Sequence, residues 1–211
     1  MSPVLCFITD RRRLGSPWEP ALVERVRTAA RSGVHLVQLR ERDLDGGAMM
    51  RLAEQCVEAV RGTRTRVVVN DRVDVALAAG AHGVHLRGDS ADAGRVRRIV
   101  PSGFLIGRSV HSLADAVAAA EGAAVDYLIF GTVFKTASKP GRAAAGLDQL
   151  GRVASATTIP VLAVGGITTA RAAGVARAGA AGIAAIGLFG DGPADALPGI
   201  VEQITMGFDT P

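Results

Sequence analysis

Short apolar runs rich in β-branched residues alternate along this chain with longer Ala-rich stretches whose apolar positions recur at helical spacing. The runs at 4–8, 34–39, 66–69, 83–85, 104–107, 126–130, 160–163 and 182–185 predict strands. The stretches at 19–31, 45–61, 72–79, 91–100, 113–121, 147–156, 169–178 and 194–204 predict helices. Strict alternation of this kind implies parallel strands joined by right-handed crossovers. Eight β/α units without a linker or low-complexity segment predict a single (β/α)8 TIM barrel over residues 1–211.

Two features favour a closed barrel over an open, doubly wound sheet. No Gly-x-Gly-x-x-Gly follows the first strand, where a dinucleotide fold would carry it. Polar residues also follow the strands all along the chain, at Thr9-Asp10, Gln38, Arg40, Asn70-Asp71, His85, Ser109 to His111 and Thr132 onward. In a barrel all strand C-termini meet on one face, where such enzymes build their sites.

Composition narrows the function classes. The net charge is +4 and the pI about 9.8. The arginines are scattered through the helical segments, however, and aromatics are only 4 %, too few for stacking platforms. Nucleic acid is therefore not the expected partner, and Arg11-Arg12-Arg13 reads as a solvated loop. No apolar run approaches the roughly 18–20 residues of a membrane span. The N-terminal stretch reads as a first strand and not as a signal peptide. Cys6 and Cys56 are too few for a disulfide framework or a zinc motif, which fits a reducing cytoplasm. A homo-oligomer is left open.

Candidate chemistry gathers at the strand ends. The only two lysines, Lys135 and Lys139, share one loop, whereas every other cation among 24 is arginine. A compact ammonium suits a phosphate oxygen or a reacting group, and Thr136 and Ser138 add hydroxyl donors; two solvated lysines are the plain alternative. On the second strand, Val34, Leu36, Gln38 and Arg40 share a face. The amide and guanidinium at its open end suit a heteroaromatic ring and an anionic group; alternatively Arg40 pairs with Glu41 or Asp43. Asn70 and Asp71 end the third strand. Asp71 suits Mg²⁺, a base-orienting role, or simple capping of the next helix. His85 closes the fourth strand as an acid–base group or a hydrogen-bonded wall. Gly165-Gly166 after the seventh strand and Gly187 after the eighth stand where barrels of this kind form a phosphate cup.

The ordered set of motifs is similar to one family over nearly the whole chain. Phe7-Ile-Thr-Asp10, Val37-Gln-Leu-Arg-Glu41, Val69-Asn-Asp-Arg72, Gly83-Val-His-Leu86, Ile106-Gly-Arg-Ser-Val-His111, Asp126-Tyr127, Gly131-Thr-Val-Phe134 with Thr136, Ser138 and Lys139, and Val164-Gly-Gly-Ile167 together resemble the thiamine phosphate synthase/TenI family. The resemblance implies a small phosphorylated heteroaromatic substrate and two branches. Synthases join a pyrimidine diphosphate to a thiazole phosphate with Mg²⁺ and release pyrophosphate; TenI proteins tautomerise the thiazole phosphate.

The synthase pattern carries two Mg²⁺ carboxylates. Asp71 matches the first. The second belongs in a Gly-Val-His-Leu-Gly-Gln-x-Asp stretch, where this chain reads Gly83-Val-His-Leu-Arg-Gly-Asp-Ser90. Ser90 takes the carboxylate's place and Asp89 stands one residue early. Val133-Phe134 and the stretch around Ser109 and His111 resemble TenI, yet Thr132 stands where tautomerases place a catalytic histidine. These departures lead to the expectation of a TenI-like tautomerase that needs no cofactor, with His111, His85 and Lys139 as candidate catalytic groups. A Mg²⁺-dependent synthase using Asp71 and Asp89, or a non-catalytic phosphate-binding protein, are the alternatives.

Overall fold

A computed structural model describes residues 2–136, 141 and 143–209; the expected contacts Ser138 and Lys139 lie outside the described residues. Eight parallel strands close on themselves in chain order. They are β1 (Val4–Ile8), β2 (Leu36–Leu39), β3 (Arg66–Asn70), β4 (Gly83–Leu86), β5 (Leu105–Val110), β6 (Tyr127–Gly131), β7 (Val161–Val164) and β8 (Gly182–Ala185). The last seam joins β8 to β1 through the register Val4↔Gly182 to Phe7↔Ala185. The expected (β/α)8 barrel is therefore the observed architecture.

The helices follow the predicted units: α1 (Trp18–Arg31), α2 (Gly46–Ala59), α3 (Val73–Ala78), α4 (Ala93–Arg97), α5 (Leu113–Glu121), α6 (Gly146–Ser155), α7 (Ala172–Arg177), α8 (Gly187–Gly190) and α9 (Leu197–Asp209). Local chemistry sets several starts. Asp45 and Asp92 accept from the N–H groups of Ala48 and Arg95, and Ser112 with Asp115 forms a capping box on α5. The helix expected at 91–100 shrinks to α4, because Asp92 caps it late. The strand expected from residue 34 begins at Leu36: Val34 is buried, but its backbone N–H bonds Ala29 at the end of α1.

Strand alternation divides the core in two. Leu5, Phe7, Val37, Leu39, Val67, Val69, Leu128 and Phe130 face the helices and form the larger cluster. Cys6, Ile8, Leu36, Tyr127, Ile129, Leu162 and Ala184 face the barrel axis and fill it. Burial pushes the thiols of Cys6 and Cys56 up to about 12, so neither is a thiolate near neutral pH. None of the described helices is long and apolar enough to cross a membrane.

Three seams close over glycines. A Cβ on Gly182 would lie 1.9 Å from the Val4 carbonyl oxygen, one on Gly131 2.2 Å from that of Val164, and one on Gly83 2.3 Å from that of Leu105. Each neighbour is strand backbone, which cannot move aside without breaking the ladder. We expect Gly182→Ala to destabilise the fold by about 1–3 kcal/mol, as overpacking does. Gly199→Ala, in α9 with no atom within 4 Å of the added methyl, should be neutral or stabilising by up to about 1 kcal/mol. Urea unfolding of both variants checks this, and equal effects would remove the seam argument.

Candidate functional site at the barrel mouth

A cavity of about 1170 Å³ opens at the C-terminal ends of the strands. It brings together Gln38, Arg40, Asn70, His85, Asp89, Ser109 and His111 from the sequence expectations. Arg42, Arg87, Arg108, Asp92 and Asp115 also line it and were not anticipated as contacts. Val164 and Ile186 line the cavity, whereas Gly165, Gly166 and Gly187, expected to form a phosphate cup, are not among its lining residues. Thr132, Thr136 and Asp71 are likewise not lining residues.

The charge balance favours an anion. Four arginines, Arg40, Arg42, Arg87 and Arg108, line the cavity against three aspartates. Two of those carboxylates are committed to helix starts, Asp92 on α4 and Asp115 on α5. Arg40 is half-buried and has no ion pair with either acidic neighbour. Its expected partners are engaged elsewhere: Glu41 is buried and accepts from the Thr9 hydroxyl at 2.6 Å and the Arg11 N–H at 3.0 Å. Asp43 takes the side chains of Arg11 and Arg12, at 2.8 and 3.1 Å. Burial, then repulsion from Arg42, lowers the Arg40 pKa from the ordinary arginine value. The arginine run at 11–13 is thus a short 3-10 turn tied down by ion pairs, with Arg13 bonding both oxygens of Asp191 at 2.7 Å, and not the free solvated loop expected.

Gln38 lies in β2, two residues before Arg40. Its amide Nε2 donates to Asn70 Oδ1 at 2.9 Å, while its buried Oε1 has no donor among the described residues. A ring N–H or amino group entering the mouth would satisfy that oxygen.

His85 is fully buried, bonding Ser109 Oγ through Nε2 at 2.8 Å and the Tyr127 hydroxyl through Nδ1 at 3.2 Å. Space for this pair exists because residue 107 is glycine: a Cβ there would lie 2.1 Å from the Tyr127 ring and 2.6 Å from His85 Nδ1. Burial, with Arg40 adding, lowers the His85 pKa to about 3. The ring is neutral across the physiological range, which matches the hydrogen-bonded wall and not an imidazolium acid. His111 is exposed at the rim, its Nδ1 2.6 Å from the Gly131 carbonyl.

Asp71 does not cap α3, whose N-cap is Arg72 without a side-chain bond. Its carboxylate instead accepts from the Ser90 hydroxyl and faces Arg87 Nε at 3.1 Å. Thr132 is buried and packs on Gly165, where a Cβ would lie 2.6 Å from its Cγ2. Gly165 and Gly166 adopt φ of 100° and 63°, which glycine allows. The N–H groups of Val133 and Phe134 bond the carbonyls of Val164 and Gly165, stitching the loop after β6 onto this turn. The short helix α8 follows β8 at Gly187, the arrangement expected beside a phosphate cup.

Residues 5–189 match the family described as thiamine monophosphate synthase. A thiamine-phosphate synthase of Roseiflexus castenholzii is 42 % identical over 171 residues, 81 % of this chain and 73 % of that protein. One from Methanoculleus marisnigri is 45 % identical over 152 residues, covering 70 % of each. A solved thiamine phosphate pyrophosphorylase from Pyrococcus furiosus is 31 % identical, with a TM-score of 0.82, covering 98 % of this chain and 95 % of that one. These relatives carry synthase names. They favour the synthase alternative over the expected TenI-like tautomerase, because Thr132 and Ser90 weigh less than similarity spread across the barrel.

The depressed His85 pKa has a consequence for folding. Below its ordinary value of 6.5 the unfolded chain binds a proton that the folded chain refuses until about pH 3. Stability therefore falls as pH drops through that window, by roughly 2–3 kcal/mol between about pH 6.5 and 4.5 from this group. Burial lowers His35 and His82 in the same direction, so the comparison must be with His85→Gln, which keeps both of them. We expect His85→Gln to show a shallower acid decline in urea-unfolding free energy, and parallel curves would contradict the neutral-wall reading.

Proposed function

Because the chain belongs to the thiamine monophosphate synthase family, we propose that it joins a pyrimidine diphosphate to a thiazole phosphate at the barrel mouth and releases pyrophosphate. In this reaction the carbon–oxygen bond to the diphosphate breaks and a carbon–nitrogen bond to the thiazole forms. The observation that carries the reading is Arg40, a half-buried guanidinium at the mouth with both neighbouring carboxylates committed to other partners. A planar fork of this kind matches phosphate oxygens, and in a partly water-excluded site each such bond is stronger than in solvent.

The residues divide naturally between the two substrates. Arg40, Arg42, Arg87 and Arg108 form the cationic side of the cavity and suit the diphosphate, whose charge increases as it departs. Gln38, fixed by Asn70, offers its unpaired oxygen to a pyrimidine amino group. The Gly165-Gly166 turn and the start of α8 are the place for the thiazole phosphate. The neutral His85–Ser109–Tyr127 group forms the wall between them and needs no proton transfer of its own. Solution in the cytoplasm is part of this reading.

The family's Mg²⁺ meets a poor donor set here. Among the described residues no three His, Cys, Asp or Glu side chains cluster as a metal site. Asp71 is held by Ser90 and Arg87, and Asp89 is largely exposed beside the same guanidinium. A hard cation binds through one or two carboxylates together with substrate phosphates, and Arg87 already stands between the two available. No step is therefore assigned to a metal.

The test is formation of thiamine phosphate and pyrophosphate from the two substrates together. Arg40→Met should raise the KM for the pyrimidine diphosphate by about 10- to 150-fold, the loss of one charge-assisted hydrogen bond of roughly 1.5–3 kcal/mol. Binding of both substrates without product would leave a non-catalytic binding protein. An unchanged KM in Arg40→Met would move the diphosphate away from β2.

A further inference from the structure

We propose that the Arg87 guanidinium is the resident cation of the diphosphate subsite, standing where a divalent ion would otherwise bridge protein and diphosphate. The inference rests on the synthase reading and deepens it. Arg87 replaces the glycine of the family pattern at the end of β4, and Ser90 replaces its carboxylate. The two departures act as one exchange: an acidic ligand is lost and a fixed positive charge is gained three residues away.

The geometry shows how that charge is held. Arg87 Nε lies 3.1 Å from Asp71 Oδ2 and 3.1 Å from Asp89 Oδ1, so the guanidinium sits between the family's first carboxylate position and the one aspartate left beside the lost second. Nε is buried, yet neither approach has hydrogen-bond geometry, so the attraction is electrostatic and this donor is left unspent. The backbone is braced as well. The Arg87 N–H donates to Ser90 Oγ at 2.9 Å, the Ser90 N–H to the Arg87 carbonyl at 3.3 Å, and the Ser90 hydroxyl to Asp71. Arg108 Nη2 closes the turn on the Gly88 carbonyl at 2.9 Å. Ser90 thus serves as a clamp for Arg87 and not as a weakened metal ligand.

A guanidinium does not reproduce a divalent ion. It brings one charge, a planar fork and no exchangeable coordination sites. It also needs no free ion in solution. Diphosphate affinity in this protein should therefore depend little on Mg²⁺, whereas a site built from two carboxylates repels a diphosphate until a cation arrives.

The experiment is calorimetric titration of the full chain with inorganic pyrophosphate, in EDTA and again with millimolar Mg²⁺. Pyrophosphate should bind in EDTA, with affinity within about threefold of that in Mg²⁺. Arg87→Met should lose about tenfold or more in EDTA, as removal of a charged hydrogen-bonding partner does, and Arg87→Lys should recover part of it. The double variant Arg87→Gly with Ser90→Asp should make binding Mg²⁺-dependent. Binding by the wild type only when Mg²⁺ is present would overturn the proposal without any variant, as would an unchanged Arg87→Met. Condensation measured in parallel separates this inference from the reading beneath it. Mg²⁺-strict thiamine phosphate formation defeats Arg87 and keeps the synthase; metal-free pyrophosphate binding without condensation does the reverse.

Discussion

Closure of the sheet is the constraint from which the rest follows. With β8 returning to β1, each strand has two hydrogen-bonded neighbours and no edge remains. All eight carboxyl ends then meet at one rim, so polar residues as far apart in sequence as Gln38 and Asp115 converge on one cavity. The closure itself depends on missing side chains. At Gly83, Gly131 and Gly182 a methyl group would strike the backbone of the adjacent strand. Inside the barrel the same logic applies at Gly107, whose absent Cβ is the space in which Tyr127 reaches His85. Packing at the seams and chemistry at the mouth are thus set by the same kind of choice, a residue too small to obstruct its neighbour.

The charge at the mouth is arranged from below. Arg40 is free for a ligand only because the turn at 11–13 consumes its neighbours. The backbone N–H of Arg11 and the hydroxyl of Thr9 satisfy the buried Glu41, and two arginine side chains occupy Asp43. The exposed pairs with Asp43 contribute little to stability on their own. Their effect is to keep the Asp43 carboxylate from neutralising the guanidinium two residues after Gln38. An arginine cluster that looks like surface decoration in the sequence therefore acts through the site it borders.

How much of this was legible varies with the kind of signal. Short apolar runs located all eight strands, and β1 and β8 to the residue, because a strand buried on both faces is written locally as a continuous apolar run. The gathering of Gln38, Arg40, Asn70, His85 and Ser109 followed once a barrel was inferred, since each lies within one residue of the C-terminal end of a strand. Arg87 and Arg108 were not foreseen. Arg108 shares the outward face of β5 with Ile106 and reaches the mouth only through the turn at 87–90, which no local pattern encodes. Val34 misled the β2 boundary because burial and strand pairing part company there. The TenI expectation leaned on two substituted positions, Thr132 and Ser90, as lost chemistry; the structure gives each a local role, one packing on Gly165 and one clamping Asp71, and similarity across the barrel favours the synthase alternative.

Asp71 draws these threads together. It sits at φ 64°, a conformation uncommon for residues with a side chain though less so for aspartate. Its backbone N–H donates to the His85 carbonyl at 2.9 Å, and its carboxylate is gripped from the β4 side by Ser90 and Arg87. The left-handed turn is therefore held at both ends by the strand that follows, and the energy those bonds supply offsets its conformational cost. Replacing the Asp71 side chain would take away one of the two carboxylates facing Arg87 and unclamp the 87–90 turn on which Arg108 closes. Loss of activity on substituting Asp71 would thus not by itself identify a metal ligand, because the same change dismantles the cationic side of the mouth. Charge reversal at Asp71 and neutralisation of Arg87 act on one coupled unit, and their effects on diphosphate affinity should be far from additive.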